Sequence, residues 1–144
     1  MTPPRLYVAT LDPRISGGVP SMAGLIYSIA QDAGYDPCLV CNTLDRTAEV
    51  RIRDILSFDF RREIEHTEYE KMELKAVPRI LPEFEFLQYI LNERGWRKAM
   101  KDGDLFVGVG GSNHCCIPLL RAGVPFASWT ATPFWGDRQN RISG

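Results

Sequence analysis

Residues 5–41 read RLYVATLDPRISGGVPSMAGLIYSIAQDAGYDPCLVC, and this stretch decides the fold class. The apolar run at 5–10 is typical of a buried β-strand. A polar loop at 11–18 follows, and Pro20 then suits the first helical position. The run at 37–41 is almost continuously apolar, as in strands buried within a parallel sheet. The stretch therefore predicts a β-α-β unit.

The helix of this unit is amphipathic, because its apolar residues recur with helical spacing. The predicted stripe consists of Met22, Leu25, Ile26, Ile29, Ala30 and Ala33. We expect this stripe to face the sheet. Gly34 follows the stripe, where a left-handed C-terminal cap belongs.

The rest of the chain continues the alternation of strands and helices. We predict helices at 47–58, 83–94 and within 114–122, and strands at 71–78, 105–109 and 125–130. Gly95 is expected to end the helix at 83–94, and Pro118 requires the last helix to start late or bend. The charge-rich segment at 45–75 is otherwise expected to be a solvated face of helices and loops. The pattern predicts an α/β, Rossmann-like open and mostly parallel sheet with helices on both faces.

Composition places the chain among ordinary globular domains. It has 144 residues, 44% of them apolar and 24% charged, and a formal charge of −1. These values exclude disordered and disulfide-scaffold classes and predict no strong attraction for nucleic acid. The longest apolar stretches fall far short of the roughly 20 residues that a membrane span needs. We expect a single cytoplasmic domain over residues 1–144.

Four cysteines, at positions 38, 41, 115 and 116, allow three interpretations. Cys38 and Cys41 have the CxxC spacing of a zinc site, and His114 stands next to Cys115 and Cys116. A second CxxC pair is missing, however, and residues three apart on a strand point to opposite faces. Reduced thiols packed in the core are the main expectation, with zinc binding and a redox role as alternatives.

Ligands of open parallel sheets bind beyond the carboxyl ends of the strands, near the point where the strand order reverses. The loops at 11–19, 110–114 and 131–138 are therefore the expected functional edge. Gly17 and Gly18 precede a helix, so their bare amides could receive a phosphate, or the pair could simply form a turn. Neither a complete GxGxxG pattern nor a P-loop occurs. His114 could act as a base or bind a sugar hydroxyl, or it could cap or pack against the next helix.

Several motifs together resemble a known family. They are SGGVPS at 16–21, GYD at 34–36, DLFVGV at 104–109 and VPFASWTAT at 124–132. The chain resembles, along its whole length, the N-terminal domain of GT-B glycosyltransferases, and more narrowly the retaining glycosyltransferase family 4 type.

The resemblance implies half of an enzyme that transfers a sugar from a nucleotide-sugar donor to an acceptor hydroxyl with retention. Gly17 and Gly18 would face the donor diphosphate. The cleft and acceptor positions would be Ser112, Asn113, His114, Thr130, Thr132, Asp137 and Arg138, with His114 as the one candidate for catalysis. Asp137 could instead simply pair with Arg138.

No metal or cofactor is implied besides the nucleotide-sugar substrate, and the acceptor would be a glycan, a lipid or a small molecule. A C-terminal donor-binding domain, in the same chain or in a partner, would complete the site, so the chain alone is expected to be inactive.

Two other functions remain open. The chain could be a non-catalytic small-ligand binding or regulatory module of the same architecture. It could also be a subunit that needs a separate donor-binding partner. Exposed aromatic side chains at Trp129, Phe134 and Trp135 would favour a partnered protein.

Overall fold

A computed structural model describes residues 2–57, 63–82, 84 and 87–130. The strands are β1 Arg5–Ala9, β2 Asp36–Asn42, β3 Glu65–Tyr69, β4 Met72–Val77, β5 Leu105–Gly110 and β6 Ala127–Thr130. The helices are α1 Gly18–Asp32, α2 Ile52–Leu56, α3 Leu87–Leu91, α4 Glu93–Ala99 and α5 Ile117–Ala122, with a 3₁₀ turn at Asn113–Cys116. None of the helices in these ranges is both long and apolar enough to cross a membrane.

The strands form one sheet in the order β3-β4-β2-β1-β5-β6. Every neighbouring pair is parallel except β3 and β4, which form an antiparallel hairpin at one edge. The parallel strands run outward from β1 in both directions, so the strand order reverses between β1 and β5. The predicted α/β, mostly parallel sheet is confirmed.

Helices cover both faces of the sheet, as predicted, because side chains alternate along each strand. Leu6 and Val8 of β1 pack with α1 on one face. Tyr7 and Ala9 point to the other face and pack with the apolar side chains of α3, α4 and α5. The largest fully buried side chain, Trp96 of α4, lies in this second core.

The face of α1 that contacts the sheet differs in part from the prediction. Its buried residues are Ala23, Tyr27 and Ala30, whereas Leu25 is 52% exposed and Ile29 is 58% exposed. Ala23, Tyr27 and Ala30 also have helical spacing, and the two alanines allow the helix to approach the strands closely. The predicted stripe is therefore confirmed in part, because Met22, Ile26 and Ala30 pack against the sheet. Leu25 and Ile29 do not, and Ala23 and Tyr27 take their place.

Glycines lie at both ends of α1. Gly34 has φ +85°, and the amides of Gly34 and Tyr35 donate to the carbonyls of Gln31 and Ala30, which is the Schellman pattern. The predicted left-handed cap is thus confirmed. The helix begins at Gly18, two residues before Pro20.

Two other elements differ from the prediction. Strand β3 lies within the charged segment expected to be helices and loops, and helix α2 has only five residues. The helix expected at 83–94 is two helices, separated at Asn92, and Gly95 lies inside α4 instead of ending a helix. Asn92 interrupts the helix because its side chain donates to the Pro78 carbonyl and accepts from the Gly95 amide.

The carboxyl-terminal part of the described chain agrees with the prediction. Strand β5 extends one residue beyond the predicted run, and β6 starts two residues later than predicted. Helix α5 starts late, with Pro118 in its first turn, where the missing amide hydrogen costs no intrahelical bond.

Candidate functional site

The carboxyl ends of β1 and β5 lie side by side, since Ala9 pairs with Gly108 in the parallel ladder. The strand order reverses here, and the loops after the two strands separate to opposite sides of the sheet. A crevice at such a position is where open α/β sheets bind ligands. The topology therefore puts the candidate site at the residues that follow β1, β2, β4 and β5.

The first depression of this crevice, the His114 pocket, has a volume of about 210 Å³. Leu11 lines it from the β1 side, and residues 110–112 with His114 and Cys115 line it from the β5 side. The exposed His114 ring is 6.4 Å from the ring of Tyr89, at an angle of 35°. His114 thus lies at the predicted edge and packs beside an aromatic side chain.

Two glycines of β5 lie against the adjacent thiols of Cys115 and Cys116, and one of them, Gly110, lines the His114 pocket. A Cβ added to Gly108 would come within 3.0 Å of the Cys116 sulfur, and a Cβ added to Gly110 would lie 2.6 Å from the Cys115 sulfur. A glycine inside a strand often marks such a close approach. The two thiols therefore occupy space that side chains on β5 would otherwise fill.

The two thiols interact with each other, with their sulfur atoms 4.0 Å apart. The hydrogen bond between them raises the pKa of Cys115 and, with help from the Ser128 hydroxyl, lowers the pKa of Cys116 to about 6. Both residues are at least 97% buried. They belong to the core, in agreement with the expectation of reduced thiols packed there.

The four cysteines do not form one site. Cys38 lies in the same core as Cys115 and Cys116, whereas Cys41 lies in the core on the other face of the sheet. Burial raises the pKa of Cys38 to about 12 and raises that of Cys41. The sheet itself separates Cys41 from the other thiols, so a four-cysteine zinc site is excluded. In the described ranges, no three His, Cys, Asp or Glu side chains are arranged to hold a metal ion.

The predicted glycine pair lies at the start of α1. Gly17 is the residue before the helix and has φ +151°. It lines a second depression, the Gly17 pocket, of about 340 Å³, between the loop at 13–17, the first turns of α1 and the β3–β4 turn. Gly18 opens the helix, and a Cβ there would meet no atom within 4 Å.

The first turn of α1 contains no acidic side chain and has no side-chain cap. The first amides of a helix lack intrahelical acceptors, and Pro20 contributes no amide hydrogen. The amide and hydroxyl of Ser21 both donate to the Gly17 carbonyl. The amides of Gly18 and Val19 are thus the donors that an anion would meet at this end.

A third depression, the Asn42 pocket, lies between the other two and has a volume of about 140 Å³. It shares Leu11 and Tyr89 with the His114 pocket and Ile15 with the Gly17 pocket. Its other lining residues are Asp12, Asn42, Leu44, Arg79 and Gln88. The three pockets therefore form a continuous row along the carboxyl edge of the sheet.

Sequence reasoning missed most of the polar side chains of the Asn42 pocket. Asn42 ends an otherwise apolar strand, and that break in the apolar run was the available signal. Arg79 follows β4, and Gln88 is buried on α3, within the helix predicted at 83–94, where a single glutamine gives no signal of a site. Asp12 lies in the loop at 11–19, which belongs to the expected functional edge.

Ion pairs of two buried carboxylates stabilise this part of the crevice. The side chain of Asp12 is fully buried and accepts from the backbone amide and the guanidinium of Arg14, at 2.7–3.0 Å. The hydrogen bond to Asp12 raises the pKa of Arg14. The buried Glu49 carboxylate accepts from Arg79 and, at 3.0 Å, from Arg51. These pairs hold the loops after β1 and β4 in place.

The structure brings some predicted cleft residues together and leaves others apart. Ser112, Asn113 and His114 are consecutive and exposed, and the Thr130 hydroxyl donates to the Asn113 side chain at 3.0 Å. Gly17 lines a different pocket from His114. Thr132, Asp137 and Arg138 lie outside the described residues, as do Phe134 and Trp135, whereas Trp129 is 52% exposed.

No family profile, no curated protein and no solved structure matches this chain. The functional interpretation therefore depends on the geometry of the crevice and on the motifs of the sequence.

Proposed function

We propose that this chain is the acceptor-side domain of a retaining, nucleotide-sugar-dependent glycosyltransferase of the GT-B type. A donor-binding domain, in the same polypeptide or in a partner, would complete the enzyme. The observation that carries the proposal is the row of three pockets at the point where the strand order reverses, with the uncapped start of α1 at one end. The sequence motifs around Gly17 and Gly18 support the same function.

The role proposed for the start of α1 is electrostatic. A departing nucleoside diphosphate carries negative charge, which the amides of Gly18 and Val19 and the helix dipole would stabilise. One preorganised donor of this kind contributes about 2–4 kcal/mol to transition-state stabilisation. Neither glycine presents a side chain, so a phosphate could approach the amides closely.

The role proposed for the Asn42 pocket and the His114 pocket is to bind the acceptor. His114 lies in the exposed wall of its pocket, where it could donate to or accept from a hydroxyl. Closure against the donor domain would exclude water and align the two substrates.

The test is a transfer assay on the chain together with its donor-binding domain. A panel of UDP-, GDP- and ADP-sugars is offered with glycan acceptors, and release of nucleoside diphosphate is followed. Gly18→Val should fold normally, because its Cβ meets open space. We expect it to lower the transfer rate at least tenfold, equivalent to about 1.4 kcal/mol of transition-state stabilisation.

Gly34→Val is the control, because Gly34 has φ +85° and lies at the other end of the same helix. It should lower the free energy of unfolding and leave the transfer rate of the folded fraction unchanged. A folded Gly18→Val protein that transfers sugar at the parental rate would show that the glycines only form a turn.

A second candidate function is a non-catalytic binding module. One observation favours it: among the described residues lining the His114 and Asn42 pockets, Asp12 is the sole carboxylate, and Arg14 holds it. This function predicts ligand binding by the chain and no turnover in any combination with a donor-binding domain.

A further inference from the structure

The Asn42 pocket concentrates unpaired polar groups. In the described part of the chain, five buried side-chain nitrogen or oxygen atoms have no hydrogen-bond partner. Three of them belong to residues that line this one pocket: Asn42 Nδ2, Gln88 Oε1 and Arg79 Nε. Buried polar groups are normally paired, so a cluster of unpaired ones calls for an explanation.

The orientation of the Asn42 amide is determined by its neighbour. Trp96 Nε1, which can only donate, bonds to Asn42 Oδ1 at 3.1 Å. The carbonyl end of this amide is therefore occupied, and the free end is the NH₂ donor. Asn42 is 7% exposed, and it is fixed at the end of a central strand.

Gln88 supplies the complementary group. It is 8% exposed, it lies on α3, and its unpaired atom is the acceptor Oε1. The pocket is thus lined by one residue with an unpaired donor and by another with an unpaired acceptor. A hydroxyl group can satisfy both kinds of partner, because it donates one hydrogen bond and accepts others.

The charged groups around the pocket already have ion-pair partners, although the Nε hydrogen of Arg79 is left free. Glu49 accepts from Arg79, and Asp12 accepts from Arg14. An anionic or cationic ligand would therefore compete with buried ion pairs, whereas a neutral one would not. Leu11, Ile15 and Tyr89 add apolar surface, as in most small-molecule sites.

We infer that the Asn42 pocket binds the hydroxyl groups of a neutral polyhydroxylated ring, with Asn42 as donor and Gln88 as acceptor. The role of this ring as the sugar acceptor rests on the proposed function. The binding itself needs no donor sugar and no second domain, so it is tested separately.

The experiment is NMR titration of the ¹⁵N-labelled chain with D-glucose, D-galactose, N-acetyl-D-glucosamine and myo-inositol, one at a time. We expect at least one of these compounds to shift the side-chain amide signals of Asn42 and Gln88. D-glucuronate is the charged counterpart of glucose and should bind more weakly than the neutral ring. Failure of all four neutral compounds, or preference for glucuronate, would overturn the inference.

Two variants test the named groups. Gln88→Met removes the unpaired acceptor, so the variant should melt at the same or a higher temperature and bind the ring at least tenfold more weakly. Asn42→Asp keeps the acceptor for Trp96 and removes the NH₂ donor, and it should weaken binding similarly. The matched control is Gln31→Met, on the exposed surface of α1.

Unchanged binding by a folded Gln88→Met protein would mean that the unpaired oxygen is only a local defect of packing. The amide shifts of the unsubstituted chain remain decisive where a variant does not fold. Ring binding without any transfer in the complete enzyme would refute the proposed function and leave this inference standing.

Discussion

The contact between strand β5 and the two adjacent cysteines allows a sharp test of the packing. Gly108→Ala places a Cβ within 3.0 Å of the Cys116 sulfur, and the next nearest atom is the Cys116 Cβ at 3.6 Å. The clash is therefore with the sulfur alone. Overpacking of this kind lowers the free energy of unfolding by about 1–3 kcal/mol.

Removing the sulfur should relieve the clash. Cys116→Ala alone deletes one buried atom and should cost about 1 kcal/mol, as for a deleted methylene group. In the double variant the new Cβ at position 108 occupies the space of the missing sulfur. We expect the double variant to be more stable than Gly108→Ala, with a coupling energy of about 1–3 kcal/mol.

The neighbouring pair provides the control. Gly110→Ala meets the Cys115 sulfur at 2.6 Å, but it also meets the Ser112 carbonyl oxygen at 2.6 Å. Cys115→Ala removes only the first contact, so it should not rescue Gly110→Ala. Urea unfolding followed by circular dichroism measures all the variants. Additive effects at 108 and 116, or equal rescue at both pairs, would refute this account of the packing.

Three other predictions concern stability and pH. Tyr7→Phe removes a hydroxyl that donates to Asp102 at 2.9 Å and accepts from the buried Lys75 ammonium at 2.7 Å. It should lower the free energy of unfolding by about 1–2 kcal/mol. The hydrogen bond from Tyr7 lowers the pKa of Asp102, so it contributes to stability above the usual carboxyl pKa. The difference in unfolding free energy between Tyr7→Phe and the parent, measured by urea unfolding, should therefore shrink below about pH 4. Leu25→Gln should change the unfolding free energy by less than about 0.5 kcal/mol, since that side chain is half exposed; a larger loss would restore the predicted stripe. Gly17→Ala should cost about 1–3 kcal/mol in thermal unfolding through backbone strain, whereas Gly18→Ala should be nearly neutral.

Those parts of the fold that local chemistry determines could be predicted. The apolar runs of β1, β2 and β5 are too long and too continuous for loops, and Gly34 marks the end of α1. The same reasoning predicted that the loops after β1 and β5 share one edge of the sheet, because the carboxyl ends of parallel strands must lie together. Three pockets lie along that edge.

Tertiary contacts determine the parts that could not be predicted. Helix α1 carries a wide apolar surface, and periodicity does not show that Ala23 and Tyr27 face the sheet. Nor does it show that Leu25 and Ile29 face outward. Strand β3 has no apolar run, and its turn uses Glu70 and Lys71 at φ +50° and +67° instead of a glycine. The break at Asn92 depends on a carbonyl 14 residues earlier in the chain.

The Asn42 pocket shows the same limit for the site. Its polar residues come from the loop after β1, from β2, from the segment after β4 and from α3, and no two of them are neighbours in the sequence. Only the topology of the sheet brings Asn42 and Gln88 to one cavity. No sequence motif therefore marks this pocket.

The central place of β1 in the sheet has a consequence for how the chain folds during synthesis. Strand β1 is made first, yet its partner β5 begins 100 residues later, at Leu105, and the Arg5 amide bonds to the Asp104 carboxylate at 2.8 Å. Until that part has left the ribosome, the middle of the future sheet is an open edge of unpaired backbone groups. Contacts so distant in sequence form slowly. The nascent chain therefore stays open to chaperones, and to aggregation, until β5 closes the centre of the sheet.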